Sequence, residues 1–145
     1  MGLADTVGYA DPAQVRRLFE KAFRERGSRI DKLTCGHLHD TRGLALANTL
    51  AVRGVGVRKF DASLAGIGGC PHAPSASGNA ATESVVFMLR RMGYDTGINL
   101  AALLALRKRV ATWLTGEQTN SAIWRAGVPM SAAQCRSGLP RPVFA

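Results

Sequence analysis

The chain has 145 residues and a mass of 15.4 kDa, room for one ordinary domain with its own core. A hydrophobic content of 46% against 20% charged residues excludes a disordered chain, and no apolar run reaches the roughly 18 residues that a membrane span needs. The net charge of +9 suits a polyanion, nucleic acid or a phosphate-bearing cofactor, but the arginines are scattered and aromatics make up only 6%, so nucleic acid is the weakest of these readings.

The start, Met1-Gly2-Leu3-Ala4-Asp5, lacks the basic segment and apolar core of a secretory signal, which makes the cytoplasm the expected location. Asp11 and Pro12 open a helix that carries Val15, Leu18, Phe19, Ala22 and Phe23 on one face and stops at Gly27. Ile30, Leu33 and Cys35 read as a short strand running into His37. A second helix is expected over residues 44–52, ended by Gly54, and a strand over 55–65. A glycine-rich, proline-containing loop fills 66–78. Helices are then expected over 80–92 and over 100–114, the latter preceded by Asn99 and closed near Gly116.

Strands that alternate with helices and end in polar residues are the pattern of successive βα units, which implies an α/β fold with a parallel sheet. An internal repeat supports it: Asp5-Thr6-Val7-Gly8 precedes the first helix as Asp40-Thr41-Arg42-Gly43 precedes the second. The glycine-rich loop does not fit GxGxxG, which counts against a dinucleotide-binding sheet. A full (β/α)8 barrel takes about 250 residues, whereas about three βα units are present and the first strand is all but missing. The expectation is therefore the C-terminal portion of a (β/α)8 barrel over residues 1–116, with a C-terminal extension over 117–145 whose end is poorly ordered.

The chemistry concentrates at His37-Leu38-His39. Side chains at i and i+2 of a strand share a face, so both imidazoles can reach one metal ion while Leu38 points the other way; a satisfied structural pair is the plainer alternative. Cys35, Cys70 and Cys135 are widely spaced and form no CxxC pair, so neither a disulfide framework nor a thiolate zinc site is expected. Trp113 and Trp124 read as packing residues. Val85, Val86, Met88, Leu89 and Met92 read as a core-facing helical stripe.

With His37-Leu38-His39-Asp40-Thr41, the loop Gly66-Ile67-Gly68-Gly69-Cys70-Pro71 and the run Gly78-Asn79-Ala80-Ala81-Thr82-Glu83 all in view, residues 3–107 resemble the 3-hydroxy-3-methylglutaryl-CoA lyase family. The HxHDTxG corner, the GGCP loop and the GNxATE run occur in that family in this order and at matching separations. Condensing enzymes of the isopropylmalate and homocitrate synthase type share the HxH pair but usually carry HxHND; Asp40-Thr41 and Cys70 favour the lyase.

The resemblance implies that His37, His39 and Asn79 ligate Mg2+ or Mn2+, that Cys70 serves as an acid near the substrate, and that Asp5 and Glu83 belong to the catalytic region. A further aspartate ligand and a neighbouring arginine come from the family's first barrel strand, which this sequence lacks. From the residues alone, Asp5 can equally brace its turn, and Glu83 can simply favour the start of its helix. Asp40 either orients His39 or caps the next helix, Asn48 supports the site from within a helix, and His72 lines the loop without an assigned role. The substrate would be an acyl-CoA, cleaved to acetoacetate and acetyl-CoA. The rivals are a catalytically silent half-barrel or interaction module, and an aldolase or condensing enzyme of the same superfamily. The first predicts pairing with a missing N-terminal half, or self-association through exposed strand edges at 55–65 or 30–37.

Overall fold

Alternating small and apolar residues at the start of the chain and before the histidines give two short strands whose outward side chains meet the same pair of helices. The computed structural model describes residues 2–26, 35–69 and 78–129. Strand β1 (Gly2–Asp5) lies parallel to β2 (Cys35–Leu38), which lies parallel to β3 (Lys59–Asp61), in the order β1-β2-β3. Helix α1 (Pro12–Arg26) connects the first two strands, and α2 (Ala45–Gly54) the last two. After β3 come a 3₁₀ turn (Leu64–Gly66), α3 (Thr82–Arg91), α4 (Leu100–Trp113) and the short α5 (Ile123–Ala126). The described residues hold no helix long and apolar enough to cross a membrane.

The first core forms where α1 and α2 cover one face of the sheet. Val15 and Phe19 of α1, Leu38 of β2, Val52 of α2 and Val57 are all buried, with Leu3, Phe23 and Phe60 packed around them. Burying each such side chain stabilises by roughly 1.5–3 kcal/mol. A smaller cluster of Ala45, Ala80 and Val85 joins α2 to α3. The register sets Leu3 beside Gly36, and Ala4 beside His37 and thus Asp61. Period-two alternation therefore sends Leu38 into the helical layer and Cys35 and His37 to the opposite face of the sheet.

The helix signals hold at their N-termini. Asp11 Oδ1 accepts from the Gln14 amide at 2.8 Å while Gln14 Oε1 accepts from the Asp11 amide at 3.0 Å, a reciprocal capping box at α1. Asn99 Oδ1 accepts from the Ala102 amide at the start of α4.

Several expectations are corrected. The strand expected over 55–65 shrinks to Lys59–Asp61, because the amides of Val55 and Gly56 bond back to Val52 and Arg53 at the end of α2, and Ala65 takes a left-handed φ of 59° that no strand tolerates. The first strand is present as Gly2–Asp5. Of the strand expected to run into His37, Ile30 and Leu33 lie outside the described residues; the described part, Cys35–Leu38, is the central strand, flanked on both sides, and among the described residues β1 and β3 are the edges. Trp113 is 65% exposed, with Arg109 over its ring at 5.8 Å, because it falls on the side of α4 that carries exposed Leu106 and Arg109, away from the packed side of Leu100 and Arg107. Of the expected stripe, Val85 and Val86 on α3 are buried, while Met92 lies just past the end of the helix and is exposed.

Candidate functional site

The site grows from two copies of one corner. At the end of β1 the Gly8 amide donates to the Asp5 carbonyl, and at the end of β2 the Gly43 amide donates to the Asp40 carbonyl. Both turns need glycine, with φ of 64° and 73°. In each copy the aspartate side chain accepts from the amide five residues on: Asp5 Oδ2 from Ala10 at 3.0 Å, Asp40 Oδ1 from Ala45 at 2.9 Å. The repeat seen in the sequence is thus a repeat of hydrogen bonding. The corners also touch. Arg42 lies over the Tyr9 ring at 3.9 Å and donates to the Gly8 carbonyl, while a side chain at Gly8 would press on Thr41 at 3.0 Å.

Between the corners stand the imidazoles. His37 Nε2 and His39 Nε2 are 3.2 Å apart, with ring centroids at 5.1 Å and planes inclined by 68°. Two ligands held about 2.1 Å from one ion at a right angle lie about 3.0 Å apart, so the pair has the spacing of adjacent ligands. The same separation suits a hydrogen bond between one protonated and one unprotonated nitrogen. His39 is buried; that burial, and next the charge of His37, hold its pKa below the ordinary histidine value, with Asp5 acting in the opposite direction. A neutral imidazole is the form that binds metal. Cys35, on the same face as His37, is no thiolate candidate, because burial and then Asp61 push its thiol up.

Asn79 completes the group. Its backbone forms an antiparallel bridge with His39, the Asp40 amide donates to the Gly78 carbonyl, and the Ala80 amide donates to the Leu38 carbonyl. Asn79 Nδ2 donates to the Ile67 carbonyl at 3.0 Å, which orients the carboxamide and leaves buried Oδ1 without a partner among the described residues. A buried acceptor with no donor costs roughly 1–3 kcal/mol, unless something such as a cation completes it. Two imidazoles and an amide oxygen fit a Lewis-acidic divalent cation. The set is incomplete, since among the described residues no three His, Cys, Asp or Glu side chains gather as a metal site. His39 Nδ1 also lacks a partner there, whereas ligating histidines are commonly braced through that second nitrogen.

The other expected site residues turn to other partners, although the charge of Asp5 still reaches His39. Asp5 pairs in register with Leu38, on the helical side of the sheet, and both its oxygens accept backbone amides, from Tyr9 and Ala10. Asp40 acts on the first turn of α2 through the Ala45 amide. Asn48 is buried and ties α2 to the first corner, its Nδ2 donating to the Ala10 carbonyl at 2.8 Å. Glu83 is fully buried and turns to Arg107, with Oε1 2.6 Å from Arg107 Nε, and Oε2 accepts from the Ala65 amide. Cys70 and His72 lie outside the described residues.

Arg107 and Asn120 were not singled out from the sequence. The helical stripe Leu100, Leu103, Leu104 and Val110 passes through Arg107, and that phase was the available signal. Asn120, in the segment read as an extension, donates its amide to the Ala65 carbonyl, and nearby Ile123 is buried. A cavity of about 750 Å³ opens between α2, α3 and α5, lined by Leu46, Phe87, Met88, Met92 and Ile123. Neither histidine lines it; Asp40 and Ala80 link it to the strand ends.

Parallel strands with an imidazole pair at their C-terminal ends place the chain among the (β/α)-barrel proteins, of which it forms a partial barrel. The model of the HMGL-like family matches residues 1–110, and the chain belongs to that family. It is 40% identical over 136 residues to hydroxymethylglutaryl-CoA lyase of Pseudomonas mevalonii, covering 94% of this chain and 43% of that protein. It is 43% identical over 129 residues to (R)-citramalyl-CoA lyase of Chloroflexus aurantiacus, covering 86% of this chain and 38% of the relative. An HMG-CoA lyase structure from Acinetobacter baumannii, in complex with coenzyme A and 3-methylmalate, superposes with a TM-score of 0.80 at 41% identity over 96% of this chain and 43% of that one. The chain thus spans about two fifths of the length of these relatives.

Proposed function

We propose that this chain carries the cation-binding strand ends of an acyl-CoA carbon–carbon lyase, acting on 3-hydroxy-3-methylglutaryl-CoA or a close thioester to give acetoacetate and acetyl-CoA. The observation that carries the reading is the imidazole pair at 3.2 Å, with Asn79 bridged to His39 through the backbone and its Oδ1 unpaired among the described residues, at the C-terminal ends of parallel strands. His37, His39 and Asn79 would hold the ion, and when bound Mg2+ or Mn2+ supplies a Lewis acid for the substrate's hydroxyl and carboxylate-side oxygens.

Cleavage breaks the bond between the tertiary carbinol carbon and the thioester α-carbon. The hydroxyl proton leaves, the electron pair of the broken bond passes to the thioester as an enolate, and the α-carbon then takes up a proton. Cys70, by the resemblance of the GGCP loop, is the proposed donor of that proton. Asp5 and Asp40 hold the two corners that aim the histidines, through the amides of Ala10 and Ala45. Glu83, enclosed and paired, acts through other groups and does not meet substrate. The relative that cleaves citramalyl-CoA favours a second reading, in which the chemistry is the same and the carbonyl product differs.

The test is release of acetyl-CoA from 3-hydroxy-3-methylglutaryl-CoA, and separately from citramalyl-CoA, in Mg2+ buffer. The purified chain is assayed alone and mixed with a separately expressed N-terminal half of a related lyase. Activity that appears on mixing and is lost in His37→Ala supports the proposal, and the preferred thioester decides between the two readings. A folded complex that cleaves neither refutes it and favours the silent half-barrel.

A further inference from the structure

Glu83, Ala65, Asn120 and Arg107 close a ring of polar contacts. Glu83 Oε2 accepts from the Ala65 amide at 3.0 Å; the Ala65 carbonyl accepts from the Asn120 amide at 2.8 Å; the Asn120 carbonyl accepts from an Arg107 terminal nitrogen at 3.0 Å; and Arg107 Nε returns to Glu83 Oε1 at 2.6 Å. Both charged side chains are buried, at 0% and 1% exposure, and Trp124 closes over the guanidinium at 4.4 Å.

The ring encloses a strained turn. Ala65 has φ 59°, a conformation that disfavours every residue with a Cβ, and Gly66 follows with φ 69°. Two direct bonds then join this turn to the candidate ligand: the Gly66 carbonyl accepts from the Asn79 amide at 2.9 Å, and the Ile67 carbonyl accepts from Asn79 Nδ2. A buried ion pair is a poor source of stability, because desolvation offsets its attraction. An apolar pair would fill the same space but could not hold both polar groups of Ala65. We infer that Glu83 and Arg107 are positioning residues, whose ring with Ala65 and Asn120 fixes the left-handed turn and thereby sets Asn79 beside His39. The segment that carries Asn120 is then part of the site's support, not an appendage.

The functional half of this inference rests on the cation-site reading, so the test uses two readouts. Amide hydrogen exchange is followed in Glu83→Gln and Arg107→Lys, and Co2+ binding is followed by its visible absorption. In Glu83→Gln the amides of Ala65, Asn79 and Asn120 exchange roughly tenfold faster or more, while those of β2 do not change, and Co2+ binds about tenfold more weakly. Arg107→Lys, which keeps the charge but lacks the planar fork, falls between wild type and Glu83→Gln on both scales. If the single variants fail to fold, the double variant E83Q/R107M, free of buried charge, is predicted to fold and show both effects. Unchanged exchange at the three amides overturns the inference. Faster exchange with undiminished Co2+ affinity overturns the positioning role. A wild-type chain that binds no Co2+ overturns the cation-site reading instead, and amide exchange alone then decides whether the ring holds the turn.

Discussion

Replacing Arg107 by methionine isolates the energetic content of the buried ion pair. Arg107 and Glu83 are 1% and 0% exposed, and Arg107 is the only basic group within salt-bridge distance of the Glu83 carboxylate among the described residues. Arg107→Met leaves that carboxylate in the interior with the Ala65 amide as its remaining donor among the described residues. Breaking a buried pair in this way costs about 3–5 kcal/mol. At about 3–4 °C per kcal/mol for a chain of this length, the melting temperature drops by roughly 10–20 °C. Removing the second charge should reverse part of this, because E83Q/R107M leaves no uncompensated charge in the interior while the side-chain carbonyl introduced at position 83 can still accept from the Ala65 amide. E83Q/R107M should therefore be more stable than R107M, the opposite of additive losses. Urea melts of wild type, both single variants and the double variant measure the coupling directly. A cost below about 1 kcal/mol for Arg107→Met, or a double variant less stable than the single, would refute the assignment of a dehydrated pair.

Three further outcomes follow from the geometry. A side chain at Gly68 would meet Asn79 Nδ2 at 2.7 Å at a φ of +115°, so Gly68→Ala should displace the carboxamide and weaken Mn2+ binding about tenfold without altering any ligand; calorimetric titration reads this. Asp40→Ala removes the acceptor of the Ala45 amide at the start of α2 and should lower stability by about 1 kcal/mol in a denaturant melt, with no change in fold by circular dichroism. Mn2+ at a hundredfold excess over its Kd should stabilise the folded chain by about 2.7 kcal/mol, an increment that EDTA removes and His39→Ala lacks in a thermal melt.

The parts of the fold that could be read in advance were those fixed by local patterns. Asp11-Pro12 and Asn99 cap their helices as their residue types require, and the repeated Asp-Thr-x-Gly builds the same turn twice because only glycine fits its fourth position. His37 and His39 share a face because a strand alternates with period two, although the 3.2 Å between them depends on the corner that follows. What stayed hidden depends on contacts distant in sequence. Glu83 looked like a first-turn acid until α4 brought Arg107 to it, 24 residues away. Ala65 gave no hint of a positive φ, since alanine is chosen there against its own preference and held by its neighbours. The end of β3 was lost to the same turn.

The claim on which the account stands is that both imidazoles hold one cation. Electron spin echo spectroscopy of Mn2+ bound to the chain counts the coordinated nitrogens. Two imidazole nitrogens are expected in the wild type, one in His37→Ala and in His39→Ala, and none in the double variant. A wild-type spectrum with no coordinated nitrogen, from a chain shown to be folded, would contradict it and leave His37 and His39 as a hydrogen-bonded structural pair.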